Sequence, residues 1–470
     1  MGSIADNLGL GEPRVSALEQ SCPPYWNRSL YCFKLPSDYK KEEITGILRE
    51  GLKATFSDLP VLTGQLVPVD DEKQPGKKDV VPGGNEELFV KDLTSSSLDY
   101  DNLKANRFPL STFDDETFWA TPCMPALGEK CPVFAAQANF IKGGWLLGIS
   151  FWHLIMDGTA LATALRVLAQ NCLLVQNPSS QSQAGSKLSG DIYNKLRLHK
   201  SGPEYRGLLS DHPEYVFLPE LPTGPPPFAT IPLKVEVFHI SPASLKALKA
   251  AATPVVETET HAKEPMWVST NDAVSALIWR SLMVVTYEGT EYKDEPLSCC
   301  QVAVNGRPKM EPPLPPDYFG CALSFATNYL PISSILVPGS LSTMALMIRQ
   351  SIMKVTAPYI DSVIATIHNV PDYRRFIPRS FVDLLGRDTV QTSWSAFPLY
   401  ACDWGQALGG KCERVRAPKL GMFNGLQTIL PALPESQGGG FEVMIGLEPH
   451  VMEKLKTDPV WSEYCKPIEN

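Results

Sequence analysis

The chain has 470 residues, which is enough for two or three compact units or for one large α/β body. Hydrophobic residues make up 44% of it and charged residues 20%, which excludes a wholly disordered, collagen-like or coiled-coil chain. The 42 Lys and Arg residues against 51 Asp and Glu residues give a net charge of −9. This acidic balance excludes the strongly basic surface that binds nucleic-acid phosphates.

Cysteine and histidine usage favours a reducing compartment and no metal. The 11 cysteines are scattered without a CxxC pair, which is typical of free cytosolic thiols. The seven histidines are far apart and form no HExxH or Cys/His cluster. The longest apolar run, Trp145–Met156, is shorter than the roughly 18 to 20 residues that a membrane span needs. We therefore expect a cytoplasmic protein with no membrane span.

Two segments with the composition of linkers divide the chain near its middle. Asn177–Gly190 is rich in Ser, Gln and Gly, and His212–Pro227 contains a proline-rich run that cannot form a central strand or helix. We predict an N-terminal domain over 1–205, a crossover linker over 206–235 and a C-terminal domain over 236–470. Each half mixes β-branched runs with amphipathic helices, so the predicted fold class is mixed α/β.

The predicted elements of the first half place a histidine at the end of a strand. Pro132–Phe140 and Trp145–Trp152 have the composition of strands, and Lys142–Gly144 between them is typical of a hairpin turn. Thr159–Val175 has apolar residues at helical spacing. His153 therefore lies between a strand and a helix.

The second half begins with a predicted helix that extends through Arg280. The segment Ser269–Asp272 is predicted to cap this helix, with Thr270 or Asn271 as the side chain that accepts a hydrogen bond from a free backbone amide. The other predicted elements of this half are strand Cys299–Val304, strand Phe441–Leu447 and helix Pro449–Thr457.

The sequence from His153 to Gly158, HLIMDG, is the main candidate for chemistry. Histidine is the side chain best suited to proton transfer near neutral pH. On a regular helix Asp157 would share the face of His153, whereas a turn, which Gly158 favours, would make Asp157 structural. A buried carboxylate then needs a cationic partner, and we predict Arg307.

Other segments match the order and spacing of motifs in one family. They are Val15–Gln20, Leu62–Leu66, Thr270–Arg280, Asn305–Pro308, Tyr318–Gly320, Thr392–Trp394 and Asp403–Gly405. Together with HxxxDG they resemble the BAHD superfamily of acyl-CoA-dependent acyltransferases, and most closely its fungal branch, such as the trichothecene acetyltransferases. The resemblance spans almost the whole chain.

This resemblance implies two chloramphenicol-acetyltransferase-like domains with a tunnel at their interface. It implies transfer of an acyl group, with acetyl-CoA as donor, to a hydroxyl or amine of a small specialised metabolite in a ternary complex. The partners are then the acceptor and the coenzyme A thioester, and the protein is a monomer without a metal. His153 would be the general base, and the family pattern adds Asp157, Thr392 and Trp394 as catalytic residues. It gives Gly158, Arg307, Asp403 and Gly405 as structural support.

One motif departs from the family. The usual DFGWG is replaced by DWGQA from Asp403 to Ala407, which puts the contacts with coenzyme A in doubt. Three alternatives therefore stay open. The same fold could catalyse cyclisation or isomerisation of an intermediate without acyl-CoA. It could act as a condensation-type domain, although Trp152 stands where that relative has a second histidine. It could also be an inactive binding protein.

Overall fold

The computed structural model describes residues 15–22, 26–113, 116–122, 131–180, 188–198, 207–223, 231–255, 267–291, 294–383, 386–417 and 426–469. The α-helices are α1 Ala17–Gln20, α2 Lys41–Asp58, α3 Tyr100–Ala105, α4 Gly158–Gln176, α5 Pro242–Ala252, α6 Thr270–Tyr287, α7 Ile332–Leu336, α8 Ser340–Lys354, α9 Ala357–His368, α10 Pro449–Thr457 and α11 Pro459–Tyr464. The first nine strands are β1 Trp26–Lys34, β2 Gly64–Pro68, β3 Lys78–Pro82, β4 Leu88–Asp92, β5 Cys131–Pro132, β6 Phe134–Ile141, β7 Gly144–Trp152, β8 Tyr215–Phe217 and β9 Lys234–Ile240. The remaining strands are β10 Leu297–Asn305, β11 Leu323–Pro331, β12 Phe376–Pro378, β13 Thr389–Ser393, β14 Arg414–Arg416, β15 Leu426–Ile429, β16 Phe441–Leu447 and β17 Lys466–Pro467.

The first large sheet has the strand order β14-β1-β7-β6-β4. Strand β7 is its centre and pairs antiparallel with β1 on one side and β6 on the other. Every residue of β6 and β7 is buried, so both faces of these strands are covered, and most of their residues are apolar. Helices α2 and α4 pack together over this sheet, and Gly51 of α2 allows close approach because an added Cβ would lie 2.4 Å from the sulfur of Cys172.

The second large sheet has the strand order β11-β10-β13-β15-β16-β9-β17. Its central strands β10, β13 and β15 are parallel, and the outer pairs are antiparallel. Helices α5, α6 and α8 cover one face and form a second apolar core around Trp279. The indole of Trp279 donates a hydrogen bond to the hydroxyl of Ser298 at 2.8 Å, which joins α6 to β10.

The two sheets are joined by a strand that crosses from the second half of the sequence into the first sheet. Strand β14 pairs with β1, and Arg416 in it donates a hydrogen bond to the carboxylate of Glu442 on β16 at 2.7 Å. Arg414 lies 3.5 Å from the same carboxylate. All three side chains are buried. Although burial raises the pKa of the Glu442 carboxyl, the charges of the two arginines hold it below its ordinary value.

The predicted mixed α/β class is confirmed. The predicted hairpin is present, with strand bounds shifted by at most two residues, and strand Phe441–Leu447 and helix Pro449–Thr457 have the predicted bounds. The segment Ser269–Asp272 caps α6 as predicted, but the choice of Thr270 or Asn271 as the accepting side chain was wrong. The hydroxyl of Ser269 accepts from the amide of Asp272, while the Asp272 carboxylate accepts from the amide of Ser269.

The predicted domain boundaries stay a prediction. Residues 199–206, around the first predicted boundary, and residues 224–230 of the predicted linker lie outside the described part of the chain. Strand β9 begins at Lys234, inside the predicted linker, and β14 belongs to the sheet of the other half.

One described helix, α4, is long and apolar enough to cross a membrane by length and composition alone. Its apolar residues belong to the first core, where they pack against α2 and the sheet. This packing is typical of a core helix in a globular protein.

Replacement of Glu442 by Ala is expected to destabilise the fold strongly, because it leaves Arg414 and Arg416 buried without their counter-ion. Breaking such a pair costs about 3 to 5 kcal/mol, to be measured by urea denaturation. The control is Glu453→Ala, which removes an exposed carboxylate and should leave the midpoint nearly unchanged. Equal midpoints for the two variants would contradict this account of the joint between the sheets.

Candidate active site

His153 follows the last residue of the central strand of the first sheet. The amide of Trp152 donates to the carbonyl of Val133 at 3.0 Å, and the amide of Ile155 donates back to the carbonyl of Trp152 at 3.1 Å. The chain therefore turns directly after the strand, and α4 begins at Gly158. The imidazole is half-buried at this turn. The buried central strand of the first sheet therefore fixes the backbone of His153.

Asp157 is the N-cap residue of α4. Its Oδ1 accepts from the amide of Ala160 at 3.0 Å, and its Oδ2 accepts from the amide of Ala322 at 3.0 Å. The carboxylate therefore belongs to the turn and the start of the helix, so the regular helix that would have placed it on the face of His153 is not present.

Arg307 binds the Asp157 carboxylate with two hydrogen bonds, as expected from the sequence. Nη1 donates to Oδ2 at 2.6 Å and Nη2 donates to Oδ1 at 3.0 Å. The remaining donors of the guanidinium are used by the carbonyls of Tyr318 and Gly320 and the amide oxygen of Asn305. Both charged side chains are buried. The pair joins the turn after His153 to two segments of the second half of the chain.

The electrostatics of this pair make Asp157 unsuitable as a base. Burial alone would raise the pKa of the Asp157 carboxyl, but the charge and hydrogen bonds of Arg307 and the two backbone amides hold it below its ordinary value. Asp157 therefore remains an anion whose lone pairs are already occupied. It positions the turn and does not take protons.

Two thiols that the sequence analysis missed lie beside His153. One imidazole nitrogen and the sulfurs of Cys22 and Cys321 all lie within 4.8 Å of one another. Burial would lower the pKa of His153, but the contact with Cys321 and the charge of Asp157 raise it above its ordinary value. The only signal in the sequence was that Cys321 directly follows the matched segment Tyr318–Gly320.

The opening segment of the chain holds Cys321 in place. The carboxylate of Glu19, on α1, accepts from the amide of Cys321 at 3.2 Å and from Lys195 at 2.9 and 2.7 Å. Glu19 is buried and also completes a capping box with Ser16. The resemblance of Val15–Gln20 to a family segment therefore corresponds to a structural contact with the neighbourhood of His153.

Trp394 lies next to the start of α4. An added Cβ on Gly158 would lie 3.5 Å from the indole nitrogen of Trp394 and 2.7 Å from the ring of Phe397. Trp394 also packs against both the first core and a small apolar cluster around Met444 of the second sheet. It therefore occupies the seam between the two sheets, on the side of the HxxxDG turn.

Thr392 lies on β13 opposite Thr428 of β15. Its neighbour Gln391 donates to the carbonyl of Ser275 on α6, so Gln391 faces the helical layer. Because successive side chains of a strand point to opposite faces, Thr392 faces away from that layer. The distance between Thr392 and His153 is not fixed by these contacts, so its catalytic role stays a prediction.

Asp403 and Gly405 are far from this site. Gln176, the last residue of α4, donates to the carbonyl of Trp404 at 2.7 Å and accepts from the amide of Ala407 at 3.0 Å. Helix α4 has 19 residues, so these contacts lie about 28 Å from its first turn. Asp403 accepts from the amide of Gly405 at 2.9 Å, which closes the loop. The DWG segment therefore anchors the far end of the helix whose first turn carries Asp157.

Gly405→Ala is expected to destabilise the protein more than Gly410→Ala. Both glycines have positive φ, but only at Gly405 would a Cβ, 2.2 Å from the side-chain amide of Gln176, displace that amide and break its hydrogen bonds with Trp404 and Ala407. The strain alone costs at least about 1 kcal/mol in each variant, and the lost hydrogen bonds add to it only at Gly405. Thermal unfolding of the two variants measures the difference. Equal losses would contradict the anchoring contact.

A model of the Transferase family matches residues 11–460 of this chain. The trichothecene 3-O-acetyltransferase of Fusarium sporotrichioides is 28% identical over 451 residues, which cover 92% of this chain and 91% of that enzyme. An enoyl-CoA isomerase/hydratase of Penicillium crustosum is 25% identical over 98% of this chain, but this chain spans only 51% of the length of that relative.

The fold has a close counterpart among solved structures. A crystal structure of the F. sporotrichioides trichothecene acetyltransferase in complex with coenzyme A and T-2 superposes with a TM-score of 0.78. The match covers 97% of this chain and 99% of that one at 25% identity. The family match, the relatives and the fold agree with the motifs, and the chain belongs to the Transferase family, that is, the BAHD superfamily that its sequence resembles.

Proposed function

We propose that the protein transfers the acyl group of an acyl-CoA to a hydroxyl group of a small metabolite, with acetyl-CoA as donor and His153 as general base. The observation that carries the proposal is the half-buried imidazole at the end of β7, behind which Asp157 and Arg307 form a fixed, buried ion pair. The relatives named as O-acetyltransferases support the choice of a hydroxyl acceptor. The solved relative that binds coenzyme A supports the choice of donor.

The chemistry assigned to His153 is proton transfer. The imidazole takes the proton of the acceptor hydroxyl while the oxygen of that hydroxyl attacks the thioester carbonyl carbon. The tetrahedral intermediate then expels the thiolate of coenzyme A, and the imidazolium returns its proton to the sulfur. The ester and free coenzyme A leave, so atoms and charges balance without an acyl-enzyme.

Trp394 is the proposed donor to the oxyanion of this intermediate. Its indole lies beside Gly158, in the seam between the sheets and next to the turn that carries His153. The hydroxyl of Thr392, which points away from the helical layer, is the second proposed donor. Removing one donor of this kind typically costs roughly 100-fold to 1,000-fold in rate.

Asp157 and Arg307 contribute by position. The carboxylate holds the first turn of α4 through Ala160, and Arg307 holds the carboxylate. Catalytic groups must stay within a fraction of an ångström of their working geometry, which a charge-paired, fully hydrogen-bonded turn provides.

The alternative of cyclisation or isomerisation without acyl-CoA makes a different prediction. Acyl transfer releases one free thiol for each acylated product, whereas a rearrangement releases none. Incubation with acetyl-CoA and a panel of small alcohols that includes deoxynivalenol, followed by thiol titration and mass spectrometry, separates the two. Product without thiol release would overturn the proposal.

A cytoplasmic, monomeric protein is part of the same proposal. The ten described cysteines are all free thiols, which agrees with a reducing compartment.

His153→Ala is expected to lower kcat/KM for acyl transfer by about 100-fold to 10,000-fold, because general base catalysis is lost. The unfolding midpoint should stay close to that of the parent protein, since the ring is only half-buried. The matched control is His450→Ala, which removes an exposed imidazole and should retain full turnover. Undiminished turnover of His153→Ala would remove this residue from the mechanism.

Asp157→Asn is expected to reduce both stability and turnover. It leaves Arg307 buried without a counter-ion, at a cost of about 3 to 5 kcal/mol, and it loosens the turn behind His153. Urea denaturation and kcat/KM measure the two effects. Asp101→Asn, which removes one carboxylate of an exposed ion pair, serves as control. If Asp157→Asn changed neither quantity, the positioning role would be wrong.

A further inference from the structure

We propose that Cys22, His153 and Cys321 form a binding site for one Zn²⁺ ion. The sulfurs of Cys22 and Cys321 lie 3.3 Å apart, although the residues are 299 positions apart in sequence. One nitrogen of His153 lies within 4.8 Å of both sulfurs. Two thiolates and an imidazole are a ligand set that zinc prefers.

The distance between the two sulfurs is close to that in a tetrahedral zinc site. With zinc–sulfur distances of about 2.3 Å, two thiolates on one tetrahedral zinc are roughly 3.8 Å apart. The sulfurs of Cys22 and Cys321 would therefore separate by about half an ångström, which side-chain rotation alone can supply. Three protein ligands leave a fourth position for water or another small ligand, as in zinc sites with an open position.

The charge balance favours a dipositive ion here. Two thiolates neutralise Zn²⁺, so the complex carries no net charge into the buried site. The neighbouring ions are already paired, Asp157 with Arg307 and Glu19 with Lys195. Both ion pairs can therefore stay in place when the metal binds.

The surrounding structure holds the ligands in place before a metal arrives. The sulfur of Cys22, which follows α1, lies 3.6 Å from the carbonyl of Leu18 in that helix. The backbone of Cys321 is fixed by Glu19, and His153 is fixed by the end of β7. Nδ1 of His153 is buried and makes no hydrogen bond to another described residue. Such preorganised ligands lose little conformational freedom on binding.

Bound zinc would occupy a lone pair of the imidazole that accepts the proton. Zinc is therefore expected to inhibit acyl transfer reversibly, and this consequence rests on the proposed function. Binding itself does not rest on it, so the site is tested by a signal that needs no turnover.

The test is a titration of the full chain with Cd²⁺, a spectroscopic substitute for zinc, with a phosphine reductant keeping the thiols reduced. We expect one Cd²⁺ per chain, with a thiolate-to-metal charge-transfer absorption that Zn²⁺ abolishes by competition. Cys22→Ser and Cys321→Ser should each lower the affinity for Cd²⁺ at least about 100-fold. Even the loss of a residue that only hydrogen-bonds to a metal ligand lowers metal affinity about 10-fold to 100-fold. Thermal unfolding shows whether each variant is folded. If Cys321→Ser does not fold, the test uses Cys22→Ser, which changes a residue just after the short helix α1.

The control variant is Cys402→Ser, a half-buried free thiol outside the cluster, which should bind Cd²⁺ like the parent protein. The absence of a charge-transfer band in the parent protein would overturn the proposal, and so would an unchanged band in folded Cys22→Ser. Because the signal is absorption and not turnover, neither result decides whether the protein transfers acyl groups.

Discussion

The arrangement of the site depends on one buried ion pair. Asp157 ends the turn that follows His153, and Arg307 comes from a segment of the second half of the chain. Two buried charges are tolerated only when they are paired and fully hydrogen-bonded, and here Ala160, Ala322 and backbone carbonyls satisfy what the pair itself leaves open. The same contact therefore caps a helix, neutralises two charges and joins the two parts of the protein at His153.

Helix α4 carries this constraint through the first core. Its first turn holds Asp157, and Gln176 at its last turn binds the loop around Trp404. The departure from the family motif affects only that distant loop. There the side-chain amide of Gln176 forms hydrogen bonds with the carbonyl of Trp404 and the amide of Ala407. This separation explains how the loop can change its sequence while the turn at His153 keeps its geometry.

The sequence was sufficient wherever a local pattern or a simple charge rule decides the structure. The hairpin before His153 follows from apolar runs around two glycines, and the partner of Asp157 follows from the cost of a buried charge. Other features could not be predicted. Ser269 was not identified as the accepting residue of the cap because three adjacent polar residues can all accept the same hydrogen bond. The approach of Cys22 to Cys321 and the crossing of Arg414–Arg416 into the first sheet are contacts of the folded chain, without periodicity or spacing to signal them.

A double-mutant cycle tests most directly whether Asp157 and Arg307 act on His153 as one unit. Asp157→Asn, Arg307→Gln and the double variant would be compared with the parent protein in kcat/KM for acyl transfer. If the pair is a single positioning device, the double variant loses little more than the worse single variant, because the second change removes nothing that is still in place. Losses that multiply independently would show that the two residues contribute separately and would contradict the account.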